Sequence, residues 1–395
     1  MNYRILALDG GGTWALIQVK ALIALYDENT SGRTVLADFD LVAANSGGSI
    51  VLGGLVEDLK LGEMLAFFQD ETKRRSVFSP TQWFGDRVLH DLTGLGPKYS
   101  AENKLSALQN ALPNRSTKPL GIAAQGVRRQ GSNEDVHLLI VAFDYDRERA
   151  AFFRSAPAGG QSWGSGDAAE ITLAEAIHAS TNAPVNYFDA PATFPDRPGR
   201  YWDGAVSGCN NPVLAGVTEA IVKGQDPLNL AVLSLGTASV TLPLQQPGQQ
   251  PSPYLQPIVS PGFVTDLHKL ATSILADPPD VATFLAHVMT GSGKGLNKPP
   301  ADSRIVRMNP LISPIRSGGA WSAPGSMSAA QFTYLAELDM DAVEPPQVDA
   351  ITRYADLWLQ GVAPNQPIRM DGDTLAPELG QDRFQGAKAA WNAIK

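Results

Sequence analysis

Short, unbroken apolar runs alternate with segments of helical period over roughly the first 240 residues. RILALD and FDLVAANS read as strands, and ALIQVKALIALYD and GSIVLGGLVEDLK as the helices that follow them. HLLIVAFDYD and LNLAVLSLGT repeat the strand pattern, with the helical AEAIHAS between them. Strands apolar at nearly every position are buried on both faces, so the pattern predicts a three-layer α/β/α fold with a central, mostly parallel sheet. From Pro243 to Pro261 the chain turns rich in Pro and Gln, which predicts a long inserted loop or the base of a lid. Helical patterning resumes in DLHKLATSILA and VATFLAHVMT. A Gly/Pro-rich loop around Gly291–Pro300, a strand RIVRM and an amphipathic helix VDAITRYADLWLQ follow. The last thirty or so residues are mixed and read as an appendage.

Composition narrows the function classes. With 395 residues, 44% of them hydrophobic and 18% charged, the chain has ample material for a core. Lys and Arg number 31 against 40 Asp and Glu, a formal charge of −9, which argues against nucleic-acid binding and against electrostatic attachment to anionic lipid. The one basic cluster, Lys73-Arg74-Arg75, reads as a solvated face. Cys209 is the only cysteine, so there is neither an internal disulfide nor a cysteine metal site, which fits a reducing, cytoplasmic setting. MNYRILALDGGG reads as a first buried strand and not as a cleavable signal. The stretch Leu41 to Val56 is interrupted by Asn45, Ser46, Gly47, Gly48 and Ser49, too polar and too short to span a bilayer.

The candidate chemistry starts at LALDGGGTWALIQVKAL. Three glycines after a strand free backbone N–H groups to face a negative charge. By letter, DGGGT fits the phosphate turn of a sugar-kinase or actin-like ATPase, where a second strand follows. Here Ala15, Val19, Leu22, Ile23 and Tyr26 follow at helical spacing. A tight structural turn is the plainer alternative. A third reading rests on LVAANSGGSIVLGG, where Ser46 stands between a strand and a helix, the setting of a nucleophile elbow. A serine on that turn exposes its Oγ at a helix N-terminus. Ala44 and Gly48 are small where strand and helix pass closely, with Asn45 and Gly47 flanking the serine. GQSWG matches the elbow consensus better by letter, but Ser162 has no strand before it and no apolar helix directly after it. GSGKG at Gly291 fails as a phosphate loop, because Gly295 stands where Ser or Thr belongs.

A serine needs a base. None of the five histidines, His90, His137, His178, His268 and His287, sits in a motif that marks a triad member. The carboxylates are more suggestive, above all Asp203 in RYWDGAVSGCNNPV, which precedes Gly204 and Ala205. Asp9 is read as a brace for the glycine turn, Asp144 and Asp146 as strand-end and loop residues, and Asp371 as part of the C-terminal segment.

In chain order, the glycine turn, the serine elbow and the Asp-Gly-Ala resemble the patatin-like phospholipase family, whose pattern is DGGGxRG, GxSxG and then DGG or DGA. ASTNAPVNYF, CNNP, LSLGT and ELDMDAVEPPQVDAITRYADLWL resemble further landmarks, so the resemblance covers about residues 3–361. It implies a catalytic domain over residues 1–361, with 362–395 as a C-terminal extension. It implies Ser46 as nucleophile, Asp203 as base of a two-residue dyad, and the amides of Gly10, Gly11 and Gly12 as the oxyanion hole. A free aspartate, with pKa ~3.9, is a weak base at neutral pH. It serves if it lies close to the serine and is poorly solvated, and each oxyanion donor adds roughly 3–4 kcal/mol. The implied activity is hydrolysis of lipid carboxylic esters without metal or cofactor. The implied partner is a lipid or other acyl ester, met at a membrane or micelle surface. A non-catalytic lipid-binding or storage protein and the ATP-binding kinase remain alternatives. The family's arginine after the triplet is replaced, since Thr13-Trp14-Ala15 stands for x-Arg-Gly; Trp14 is read either as lining an acyl channel or as a packed aromatic.

Overall fold

The computed structural model describes residues 2–77, 101–155, 171–184, 187–194, 197–292 and 303–395; the GQSWG string with Ser162, His90 and most of the Gly291–Pro300 loop lie outside them. One eight-stranded sheet contains β1 (Tyr3–Leu8), β2 (Leu41–Asn45), β3 (His137–Asp144), β4 (Arg149–Arg154), β5 (Ala192–Phe194), β6 (Arg197–Asp203), β7 (Leu230–Leu235) and β8 (Ile305–Met308). Its order is β5-β6-β3-β2-β1-β7-β8, with β4 also paired to β3. The run from β3 to β8 is parallel throughout, whereas β4 and β6 run antiparallel to β3.

Alternate residues of the parallel strands enter two separate cores, which explains their unbroken apolar runs. Leu6, Leu8, Val42, Ala44, Leu138, Ile140 and Leu233 face one side, against α1 (Leu16–Tyr26) and α2 (Ser46–Glu57) and beneath α4 (Leu173–Ser180). Ile5, Ala7, Leu41, Ala43, Leu139 and Val232 face the other, against α5 (Val213–Val222) and α6 (Phe263–His287). The fold is therefore the expected mostly parallel α/β/α sandwich. The antiparallel β4 and β6 escape the apolar-run pattern because RPGRYWD keeps its first four residues wholly or partly open to solvent. DLHKLATSILA and the first seven residues of VATFLAHVMT, read as separate segments, lie on α6, which runs through Pro278 and Pro279.

The Pro/Gln-rich segment lies at the carboxyl end of β7 and is pinned at its middle, where Tyr254 packs on Phe332 with ring centres 5.4 Å apart. The C-terminal residues do not stand apart as the appendage that the sequence suggests. After α7 (Pro345–Leu359), α8 (Phe384–Ile394) inserts Trp391 into the first core, stacked 5.9 Å from Phe39, and Phe384 meets Trp358 edge-on. An aromatic enclosed in that way carries the full cost of the cavity it would leave. Trp391→Ala is expected to lower the free energy of unfolding by about 3–5 kcal/mol in a denaturant titration. A change within the scatter of surface substitutions would make α8 an ornament.

Candidate active site

Three loops converge at the carboxyl ends of β1, β2 and β7. Leu8 pairs with Ala44 on one side and with Leu235 on the other, so the glycine turn, the Ser46 turn and Thr237 leave the sheet at one level. Ser46 opens α2 with φ of +48°, a left-handed conformation that a non-glycine residue adopts at a cost of about 1–3 kcal/mol. The sharp turn lifts its side chain off the strand end and sets it at the helix N-terminus. Two contacts hold the strain: the Ser46 N–H donates to Ser180 Oγ at 2.9 Å, and Ser49 Oγ donates back to the Ser46 carbonyl at 2.5 Å. Gly48 is required by close approach, since a Cβ there would lie 2.4 Å from the Leu8 carbonyl oxygen.

Asp203 reaches this turn along β3. Asn45, the last residue of β2, pairs with Val141, and Asp203, the last residue of β6, pairs with Ala142, the next position along β3. Because β4 occupies the opposite edge of β3, β6 continues the line of β2 where the elbow leaves it. Asn45 Nδ2 donates to Asp203 Oδ1 at 3.0 Å and the Ala205 N–H donates to the same oxygen at 2.9 Å. Ser46 follows Asn45 directly, which sets its side chain close enough to this carboxylate to influence its ionisation. Burial pushes the Asp203 carboxyl above the usual range, while Ser46, the Ala205 amide, Asn45 and the charge of Lys104 pull it back. The result is a carboxylate more basic than a free one, with its orientation fixed. Gly204 must lack a side chain, because its Cβ would stand 2.4 Å from Asn45 Oδ1.

The glycine turn departs from the expectation of three free donors. The Gly10 N–H donates to the Asn210 carbonyl at 2.8 Å and is not free to meet another acceptor. The Gly11 and Gly12 amides have no hydrogen-bond partner among the described residues. Thr237 Oγ1 donates to the Gly10 carbonyl at 2.5 Å, and the Thr13 N–H donates to the Met340 carbonyl at 3.0 Å. Behind the turn Asp9 forms a buried ion pair with Arg307, at 2.5 Å, and Arg307 also donates to Ser234 Oγ. Burial outweighs that pairing and pushes the Asp9 carboxyl up to about 6. A cation from β8 thus stands behind the turn in a chain that lacks the arginine after the triplet.

A small apolar pocket at Ser46 is lined also by Gly12, Gly47, Ile50, Ala183, Phe188 and Met340. Trp14 is packed, not pocket-lining: it is buried and donates through Nε1 to the Asp339 carbonyl. Asn211 ties the Asp203 loop to α6 by donating to Thr283 Oγ1 at 2.8 Å. Among the described histidines, His137 faces Glu219 and Ser155, and His287 faces Ser303. His178 is buried on α4 with no partner for Nδ1, and burial pushes its ring far toward the neutral form. Asp144 pairs with Arg147, Asp146 with Arg200, and Asp371 holds its own surface turn. Among the described residues no group of His, Cys, Asp and Glu is set to hold a metal, and no helix is long and apolar enough to cross a membrane. The sequence predicts that Asn210 and Asn211 fix the Asp203 loop through their side chains, whereas Asn210 meets the Gly10 N–H through its main-chain carbonyl. Ser180, Thr237 and Arg307 carry no role in the sequence reading. Only Arg307 carried a signal, a lone charge inside the apolar run RIVRM.

The family model for patatin-like phospholipase matches residues 6–217, which hold the glycine turn, Ser46 and Asp203. A cGAMP-activated phospholipase of Pseudomonas aeruginosa (strain BWHPSA011 / Pa011) is 27% identical over 242 residues, 60% of this chain and 63% of the relative, so the match spans less than two thirds of that protein. VipD from Legionella pneumophila aligns in structure with a TM-score of 0.37 and 11% identity, over 90% of this chain and 67% of that one.

Asp9 gives the site's surroundings a measurable pH dependence. Its carboxyl is raised in the fold, so its stabilising contribution is complete below the unfolded value near 3.8 and is lost as pH rises through about 6. Between pH 4 and 7 the native chain is therefore expected to lose unfolding free energy relative to Asp9→Asn, on the order of 3 kcal/mol. A difference that grows in the native chain's favour would mean that Arg307 outweighs burial.

Proposed function

The chain belongs to the patatin-like phospholipase family, and from that premise we propose that it hydrolyses carboxylic esters of lipids through Ser46 and Asp203. The observation that carries this reading is the strained Ser46 turn, close to a buried, oriented carboxylate and beside two amides that have no partner among the described residues. In the proposed reaction Asp203 accepts the Ser46 proton as Oγ attacks the ester carbonyl. The oxygen that becomes anionic is met by the Gly11 and Gly12 N–H groups and by the positive end of α2. The alcohol leaves with a proton, giving an acyl-enzyme, and water activated by Asp203 releases the fatty acid. Donors on Oδ1 keep Asp203 ionised and aimed, while burial keeps it basic. The helix after the triplet weighs against the kinase alternative, which needs a strand there.

A serine-directed fluorophosphonate is expected to label Ser46 and to fail on Ser46→Ala, while fatty acid is released from phosphatidylcholine by the native chain alone. Asp203→Asn is expected to lower turnover by roughly 10³- to 10⁴-fold, in line with removal of the acidic member of a serine triad. A correctly folded chain that takes no label would favour the lipid-binding alternative.

The surface through which such a substrate arrives is proposed to be the Pro/Gln-rich segment. No charged residue occurs between Asp226 and Asp266, in a chain of net charge −9. From this stretch Val240, Leu244, Ile258 and Val259 are exposed, Ile258 by 61%. An uncharged loop with apolar side chains presented at the carboxyl end of the sheet suits a lipid surface. Replacing Ile258 and Val259 together by Asp is expected to weaken sedimentation with phosphatidylcholine vesicles and turnover on them, leaving hydrolysis of a short, monomeric ester unchanged. Equal loss on both substrates would refer the effect to the fold.

A further inference from the structure

Behind the pocket wall stands a lysine that the reaction above does not use. Lys104 lies on α3 (Ala101–Ala111) and its side chain is fully buried. Its ammonium donates to Asn182 Oδ1 at 2.7 Å and sits 3.8 Å from the centre of the Phe188 ring. Phe188 lines the pocket at Ser46. The backbone carbonyl of Asn182 accepts the Asp203 N–H at 2.9 Å. One residue thus receives the lysine on its side chain and the proposed base on its main chain.

We propose that Lys104 is a positioning residue for Asp203: through Asn182 it fixes the end of β6, and through its charge it holds the carboxylate ionised. The inference rests on the dyad reading above. A buried ammonium without a carboxylate partner is costly, and among the described residues none lies within 4.0 Å of it. The negative charges that act on it are those of Asp203, the larger influence, and Asp189, whose Oδ1 accepts the Ala101 N–H. Burial pushes the lysine well below its usual value, and the same burial raises Asp203. Each charge therefore favours the other.

Other ionisable groups on the packed elements are engaged elsewhere. Glu175 caps its own helix, and His178 is pushed toward neutrality by burial and by Lys104 itself. On the helix Glu71–Val77, Arg74 donates to the carbonyls of Phe68 and Val343, Arg75 pairs with Glu71 and Glu344, and Lys73 is exposed. On β3 and β6, Asp144 pairs with Arg147, Arg200 with Asp146, and His137 with Glu219. Among the described residues, the charge of Lys104 acts on the ionisation of Asp203.

The test compares pH profiles of kcat/KM on a monomeric fatty-acyl ester for the full chain and for Lys104→Gln, Lys104→Met and Lys104→Arg. Gln retains a donor for Asn182 and drops the charge. With the charge gone the acidic limb is expected to move to higher pH, so that the ratio of activity at pH 6 to that at pH 8.5 falls by roughly three- to tenfold in Gln and Met. Arg keeps the native limb. Folded neutral variants whose profiles are the native one merely scaled down would overturn the proposal, because a packing role lowers the whole curve. A second readout needs no lysine replacement. In protein labelled with ¹³Cε-lysine, the resonance of the buried lysine is expected to titrate at lower pH in Asp203→Asn than in the native chain, and identical titration in both would also sink the idea. Native protein that neither labels at Ser46 nor releases fatty acid defeats the hydrolase reading by itself, while the resonance still decides whether Lys104 and Asp203 are coupled.

Discussion

The hydrogen bond from Asn45 to Asp203 joins segments 158 positions apart and is the contact around which the site is arranged. It exists because β2 stops after Asn45 and β6 takes up the same edge of β3 at the next residue. A shift of one position in the β3–β6 ladder would turn Asp203 to the opposite face of the sheet, away from Ser46. The register is set by apolar packing on two faces, so the core and the site share one constraint. Small residues at Gly48 and Gly204 follow from it, since each stands where neighbouring segments crowd together.

Charge burial is the second theme. Asp203, Lys104, Asp9 and Arg307 are all enclosed, and an enclosed charge persists only where donors or an opposite charge compensate it. Asp203 has two donors on one oxygen. Asp9 has Arg307, which also grips Ser234 on β7, so β1, β7 and β8 are held together directly behind the glycine turn. These polar ties lie at the end of the sheet where the loops converge, while the middle of the sheet is apolar. The distribution sets charged ties beneath a pocket whose lining includes Phe188 and Met340.

That lining ties the later part of the chain to the earlier. The family match ends at residue 217, yet Thr237, Arg307 and Met340 all touch or brace the turn that begins at Asp9. Asp339 receives both the Trp14 indole and the Tyr187 hydroxyl, which links the turn to the pocket rim. Trp14 thereby serves packing, and a cation behind the turn comes from another strand.

The amino-acid sequence by itself determined the local features. Unbroken apolar runs meant strands covered on both faces, and helical spacing after Thr13 meant a helix in place of a hairpin. Small residues around Ser46 meant a strand-to-helix turn, although the serine that the sequence would expose is buried in the structure. Each follows from periodicity or from the conformation a few neighbouring residues can adopt, which a sequence records directly. Tertiary structure alone decided that Asp203 lies beside Asn45, that the Gly10 amide is taken by Asn210, and that Arg307 stands behind Asp9. It also decided that Lys104 is enclosed and that Trp391 belongs to the core. Those outcomes depend on the register and packing of segments far apart in the chain, and no local pattern encodes which distant group will meet a given one.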